Sequence, residues 1–108
     1  MTYRFDNCEL DDERRLLVRQ EQRIGLEPKA FDVLVYLVAN RERVVSKEDL
    51  VRQFWADAFV GDAAINGSIM LVRKAVGDTE APRRLIETRH RRGFRFIAPV
   101  HPVDPQPA

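Results

Sequence analysis

The most constraining feature of the sequence is a run of apolar residues at helical spacing in its second half. Four of them recur at steps of four, three and four positions: Ile65, Ile69, Val72 and Val76. Because residues three and four apart share one face of an α-helix, the run predicts a helix that buries one side against a core. Asp62 is a candidate N-cap and Gly77 a candidate C-terminal stop, which bounds the helix at about residues 62–76.

Two shorter helical patterns precede this one. Pro28 suits a first helical turn, and apolar residues follow it at helical spacing up to a candidate stop at an asparagine, so a first helix is predicted over about 28–39. Ser46 precedes Asp49 by three residues, a variant of the capping box in which Asp replaces Glu or Gln. A second helix is predicted to begin there and to end before residues 57–61.

Runs typical of β-strands flank the helices. Before the helices, three runs separated by polar turns predict a small antiparallel sheet: Tyr3–Phe5, Arg15–Val18 and Gln22–Leu26. After the helices, residues 85–89 and 94–97 predict a hairpin with Gly93 in its turn, where a positive φ is useful. Residues 99–108 have frequent prolines and no apolar periodicity, so we expect them to form a Pro-rich tail or linker and the domain to cover 1–98.

The formal net charge of +1 conceals an uneven distribution of charge along the chain. The totals are 18 Lys and Arg against 17 Asp and Glu, but residues 1–13 contain one arginine and five acidic residues, whereas residues 83–95 contain six arginines and one glutamate. The planar guanidinium of arginine suits phosphate oxygens and base edges. The arginine block therefore favours a nucleic-acid partner, with a solvated basic hairpin as the alternative.

Length and residue usage exclude several classes of protein. A chain of 108 residues suits one domain. Its longest apolar stretch, residues 33–39, is far shorter than the roughly 20 residues of a membrane span. Because the N-terminus also lacks a signal pattern, we expect a cytoplasmic protein. One cysteine cannot form an internal disulfide, and His90 and His101 lack zinc-ligand spacing, so neither a metal nor a cofactor is expected. Nothing in the pattern pairs Cys8 with a histidine base, which argues against an enzyme.

The order of the predicted elements is three strands, three helices and a cationic hairpin, which is the layout of an α+β winged helix-turn-helix domain. In such a domain one helix enters the major groove of DNA, and the hairpin, or wing, flanks it. The third helix would turn a face of six residues away from the core: Ala63, Asn66, Gly67, Met70, Arg73 and Lys74. A glycine in mid-helix costs about 1 kcal/mol relative to alanine, so Gly67 is either merely tolerated or lets the backbone approach DNA closely.

The other residue types on this face match base edges and phosphates. Asn66 can pair with adenine, and the methyl groups of Ala63 and Met70 can contact thymine. Arg73 and Lys74 can hold guanine or phosphate, and they also complement the dipole at the end of the helix.

Two stretches of the sequence resemble a known family. Residues 60–78, with their ending Arg73-Lys74-Ala75-Val76-Gly77-Asp78, and the later runs Ile86-Glu87-Thr88 and Arg92-Gly93-Phe94-Arg95-Phe96 are similar to the OmpR/PhoB-type winged-helix DNA-binding domain of transcriptional regulatory proteins. The chain resembles in particular the version at the N-termini of CadC/ToxR-like regulators. The resemblance covers about residues 3–98.

The resemblance implies a domain that binds double-stranded DNA in a sequence-specific way to regulate transcription. The third helix, about 62–76, would read the major groove, and an arginine-rich wing, 89–93, would contact the minor groove and phosphates. Together with the helix face described above, the site would comprise ten residues: Ala63, Asn66, Gly67, Met70, Arg73, Lys74, Arg89, His90, Arg91 and Arg92.

The resemblance also implies protein partners. The loop at 56–61 would face RNA polymerase. A second copy of the domain on a tandem half-site is a further candidate partner, which the sequence leaves open, and the expected location is the bacterial nucleoid. The family often has charged residues at the positions of Ala63 and Met70 and a glycine at that of Arg91, so here the helix face is less charged and the wing more so. The alternative is a winged-helix protein-interaction module without specific DNA binding, and the arginine-rich wing favours DNA over it.

Overall fold

Three helices and seven short strands make up the part of the chain that the computed structural model describes, residues 1–56 and 61–103. The helices are α1 (Pro28–Ala39), α2 (Lys47–Phe54) and α3 (Asp62–Val76). The strands are β1 (Thr2–Phe5), β2 (Cys8–Asp11), β3 (Leu16–Arg19), β4 (Gln22–Arg23), β5 (Ile86–Arg89), β6 (Gly93–Phe96) and β7 (His101–Val103). This order confirms the predicted α+β winged-helix fold.

The first four strands and the last one form a single antiparallel sheet in the order β4-β3-β2-β1-β7. The predicted sheet lacked β2, and it extended β4 to Leu26, whereas the strand ends at Arg23. Within β2, Cys8 and Leu10 are buried and alternate with half-buried acidic residues. The period-two pattern of a strand was therefore present, but acidic residues are depleted in strands and obscured it.

The predicted tail also differs from the structure. Instead of leaving the domain at residue 98, the chain returns to the sheet, where β7 pairs with β1 and Pro102 lies opposite Tyr3. A proline is tolerated there because β7 is an edge strand, whose outer side needs no donor. The domain thus extends at least to Val103.

The helix boundaries follow the local signals with one exception. The observed bounds of α1 are those predicted, and at the start of α2 the hydroxyl of Ser46 accepts a hydrogen bond from the backbone N–H of Asp49 at 3.0 Å, as the capping box predicts. The bounds of α3 are also those predicted, but its N-cap is not: Gly61 is the N-cap, and Asp62 is the first helical residue and makes no capping hydrogen bond with its side chain.

One buried cluster joins the sheet, the helices and the wing. It includes Phe5 and Leu17 of the sheet, Leu34 of α1, Ile69 of α3 and Phe96 of β6. The rings of Phe5 and Phe96 meet edge to face with 4.9 Å between their centroids. The base of the wing is therefore packed directly against the N-terminal sheet.

Within the described ranges, none of the helices combines the length and the apolar character needed to cross a bilayer. In the same ranges, no group of three or more His, Cys, Asp or Glu side chains is placed to hold a metal ion.

Candidate nucleic-acid interface

The exposed face of α3 is the first part of the candidate interface. Its opposite face is buried through five residues: Ile65, Ile69, Val72, Ala75 and Val76. Of the six residues predicted to face away from the core, Ala63, Asn66, Met70 and Lys74 are exposed, and among the described residues Met70 is the most exposed large hydrophobic one, at 70%. Gly67 is half-buried, and a Cβ added there would meet nothing within 4 Å. Leu71, which was not predicted, is 39% exposed on the same helix.

The wing is the hairpin of β5 and β6, and the wing tip is residues 89–92. All four tip residues are exposed: Arg89, His90, Arg91 and Arg92. Arg89 forms an ion pair with Glu87 on its own strand, with 2.7 Å between Nε and Oε1. Arg91 and Gly93 have positive φ angles of 64° and 136°, which fold the tip tightly, so the predicted positive φ at the glycine is confirmed.

Gly93 is also required by the backbone segment that lies beside it. Val45, in the link between α1 and α2, exchanges two backbone hydrogen bonds with Phe94: Val45 N–H donates at 2.7 Å and Phe94 N–H donates at 2.8 Å. A Cβ at position 93 would collide with the carbonyl oxygen of Val45 and would lie 2.7 Å from the Cα of Ser46. This close approach places the wing against the residue that caps α2.

Arg73 joins α3 to the wing. Its Nη2 donates to the carbonyl oxygen of Ile86 at 2.8 Å and to the hydroxyl of Thr88 at 2.9 Å, both on β5. Its Nε is buried without a hydrogen-bond partner among the described residues. Burial, with a smaller contribution from Arg83, lowers the pKa of Arg73 below its ordinary value. Arg73, which is a predicted DNA contact, therefore also holds the wing against α3 through its hydrogen bonds to β5.

Asp78, which is not among the predicted site residues, holds the loop between α3 and the wing. The residue is 1% exposed, and its carboxylate accepts hydrogen bonds from three successive backbone N–H groups, those of Arg84, Leu85 and Ile86, at 2.9, 3.3 and 2.9 Å. The signal that could have found it is its place directly after Gly77, the left-handed residue that ends α3.

A cleft of about 510 Å³ separates the wing from the first turns of α2 and α3. One wall carries the wing tip and Gly93, and the other carries Ser46, Lys47 and Glu48 together with Asp62. Within this second wall, Lys47 and Asp62 form an ion pair with 3.1 Å between Nζ and Oδ2. The cleft therefore sets an arginine-rich edge opposite two helix N-termini, whose positive dipole ends are offset by the carboxylates of Glu48 and Asp62. The attraction for anionic groups comes mainly from the arginines of the wing tip.

The predicted polymerase-facing loop lies largely outside the described residues. Residues 57–60 fall there, and only Ala56 and Gly61 at its two ends are described. Trp55 just before it is half-buried against the core, and the ammonium group of Lys29 lies 5.2 Å from the centre of its ring. Lys29 Nζ also donates to the carbonyl oxygen of Phe54 at 2.7 Å, so α1 holds the end of α2.

Comparison with known proteins gives consistent matches. The family model described as "Transcriptional regulatory protein, C terminal" matches residues 20–96. The chain is similar to the transcriptional regulator HilA of Salmonella typhi, with 35% identity over 101 residues that cover 94% of this chain and 18% of HilA. The chain therefore spans less than a fifth of that relative's length.

Solved structures share the fold. The response regulator DrrB of Thermotoga maritima, described as an OmpR/PhoB homolog, superposes with a TM-score of 0.80 and 29% identity over 88% of this chain and 43% of DrrB. The DNA-binding domain of Escherichia coli CadC superposes with a TM-score of 0.78 and 24% identity over 93% of this chain and 94% of that domain.

Proposed function

The chain belongs to the "Transcriptional regulatory protein, C terminal" family of OmpR/PhoB-type DNA-binding domains, which are not enzymes, and we propose that it recognises specific duplex sequences through α3 and the wing. This membership confirms the resemblance drawn from residues 60–78 and 86–96. DNA binding for the regulation of transcription is the property of the family. The division of labour between helix and wing is our proposal for this chain.

We propose that α3 lies in the major groove. An α-helix fits that groove, which is about 12 Å wide, and presents side chains to the base edges. The exposed face of α3 offers Asn66 as a paired donor and acceptor, with Ala63 and Met70 on either side of it along the helix. These residues would read bases, and Gly67 between them would allow close approach.

The wing tip would lie on the minor groove and the adjacent phosphates. Its three arginines and His90 are exposed, and the positive φ at Arg91 and Gly93 compacts the turn that carries them. The observation that carries the proposal is the cleft between this tip and the first turns of α2 and α3. A phosphate backbone running along the cleft would contact the arginines, while the carboxylates of Glu48 and Asp62 on the opposite wall would keep it on the side of the wing.

Titration of labelled duplexes at several salt concentrations tests the proposal. With about four or five phosphates neutralised, the logarithm of the association constant should fall with the logarithm of salt concentration with a slope near −4. Replacing both Arg91 and Arg92 with alanine should weaken binding to every sequence and flatten the slope, whereas Asn66→Ala should change the preferred sequence. Arg4→Ala, an exposed arginine on β1, is the matched control.

Two results would contradict the proposal. The DNA-binding function is wrong if affinity for every duplex is absent or indifferent to salt. The placement of α3 is wrong if Asn66→Ala leaves the site selected from a random pool unchanged. In the first case the domain would be a protein-interaction module, for which the neighbouring exposed side chains of Met70 and Leu71 offer an apolar patch.

The proposal extends to partners. A second copy on a tandem half-site would appear as a direct repeat in the selected sequences. RNA polymerase would meet the loop at 56–61, and a domain working in this way would act on the bacterial nucleoid in the cytoplasm.

A further inference from the structure

We infer that the sequence read by this domain is rich in A·T base pairs, with thymine methyl groups as the main contacts of α3; the inference rests on the proposed function. The first reason is that the exposed face of α3 carries no cation before its last turn, since no Lys or Arg occurs from residue 62 to residue 72. Five residues are exposed in that stretch after Asp62: Ala63, Ala64, Asn66, Met70 and Leu71.

The cationic side chains nearest to the exposed face of α3 either have partners within the domain or lie far from the first turns of the helix. Arg73 is bonded to Ile86 and Thr88, and Lys47 is paired with Asp62. Lys74 is exposed, but it follows Ala63 by eleven residues, or roughly 16 Å along the helix axis. It therefore lies at the C-terminal end of α3, whereas recognition helices contact bases mainly through their N-terminal turns. Guanine, which presents two acceptors in the major groove and is usually held by a forked arginine, therefore finds no arginine or lysine on the first turns of α3.

A·T base pairs match what the face does offer. Thymine exposes its C5 methyl group in the major groove, where apolar side chains contact it, and Ala63, Met70 and Leu71 supply such groups. Adenine presents an acceptor and a donor that an asparagine amide can hold in a bidentate way, and Asn66 is exposed on the same face. Each base of the pair thus has a partner on α3.

The wing independently favours the same composition. A·T-rich tracts have a narrow minor groove with an enhanced negative potential that attracts inserted arginines. Arg91 and Arg92 are exposed at the wing tip, and neither makes an ion pair with another of the described residues, whereas Arg89 is held by Glu87. Two reading elements with different chemistry therefore converge on A·T-rich DNA.

The test begins with selection of preferred sites from a random duplex pool, followed by base analogues in the selected site. Uracil in place of thymine removes only the C5 methyl group, and we expect about a fourfold loss of affinity for each methyl contacted, the effect of burying one CH₂-sized group. Diaminopurine in place of adenine adds an amino group to the minor groove only, and we expect a loss at the steps beside the wing. Met70→Arg should move the preference at one position from thymine to guanine.

The outcomes separate the inference from the proposed function. Tight, salt-dependent binding to a site no richer in A·T than the pool, or full affinity for the uracil duplex, overturns the inference and leaves specific DNA binding intact. Equal affinity for all duplexes overturns the proposed function, and the inference with it. An A·T-rich site that loses affinity with uracil and with diaminopurine at different steps supports both.

Discussion

Arg73 of α3 donates a hydrogen bond to the hydroxyl of Thr88 on β5 at 2.9 Å, so one side chain links α3 to the wing. The same nitrogen also donates to the carbonyl oxygen of Ile86 at 2.8 Å. Just beyond the end of α3, Asp78 accepts hydrogen bonds from the backbone of the residues that lead into β5. The relative position of α3 and the wing is thus set by polar contacts in the free domain, which would lower the entropic cost of the proposed binding of both elements to DNA. A direct contact of Arg73 with DNA stays a prediction.

Arg73→Lys tests this brace. Lysine keeps the charge but lacks the planar fork, so we expect the free energy of unfolding to fall by about 1–2 kcal/mol. The affinity for DNA should fall as well, while the salt slope stays close to that of the wild type because the charge is retained. Urea unfolding and salt titration measure the two effects.

Lys74→Gln is the matched control for that experiment. Lys74 is exposed one residue further along α3, so its replacement should leave the free energy of unfolding within about 0.5 kcal/mol of the wild type. If Arg73→Lys also leaves the free energy of unfolding unchanged, the hydrogen bonds from Arg73 to β5 do not hold the wing.

Two glycines give opposite predictions for the same substitution. Gly93→Ala adds a methyl group at a φ of 136°, against the carbonyl oxygen of Val45, and should lower the free energy of unfolding by at least about 2 kcal/mol. Gly67→Ala adds one to a helix interior with open space around it, and should raise that free energy by about 0.5–1 kcal/mol. Thermal or urea unfolding of the two variants compares them directly.

Gly67→Ala also tests the two interpretations of that glycine. Because the added methyl group meets nothing within 4 Å in the free domain, a loss of DNA affinity in this more stable variant can arise only at the interface with DNA. We expect such a loss, measured on the selected site. Unchanged affinity would mean that Gly67 is merely tolerated in α3 and would remove it from the interface.

Local signals in the sequence predicted most of the helices and strands but not the long-range contacts between them. Periodicity and capping residues predicted the bounds of α1 and α3, although not the N-cap of α3, because those signals act over a single turn. The pairing of β7 with β1 joins segments about a hundred residues apart, and the prolines around it are typical of a linker. The candidate site shows the same division: helical spacing placed Asn66 and Met70 on the exposed face, but it could not show that the long side chain of Arg73 reaches β5.

A pair of truncations tests the boundary of the domain. A chain that ends at Ala98 loses β7 and also Val100, which packs against the core, so its free energy of unfolding should fall by about 1–2 kcal/mol. A chain that ends at Val103 keeps both, and we expect it to unfold at the same urea concentration as the full chain. Equal stability of the two truncated chains would show that β7 contributes nothing to folding.

Cys8 on β2 lies in the core with 4% of its surface exposed, and its Sγ is 3.8 Å from the carbonyl oxygen of Val76 at the end of α3. Burial, with a smaller contribution from Asp6, raises the pKa of this thiol from 9.0 to about 11. The thiolate, which is the reactive form, is therefore suppressed in the folded domain at neutral pH.

This shift predicts a loss of stability in alkaline solution. Between pH 9 and about pH 11 the unfolded thiol is ionised while the folded thiol keeps its proton, so raising the pH there favours the unfolded chain, by up to about 2 kcal/mol. Urea unfolding from pH 8 to pH 11 measures it, and the decline should be shallower in Cys8→Ala, since only the wild type carries this thiol. The environment assigned to Cys8 is wrong if the two declines are parallel and if iodoacetamide labels the folded wild type at pH 8 as fast as it labels the urea-unfolded chain.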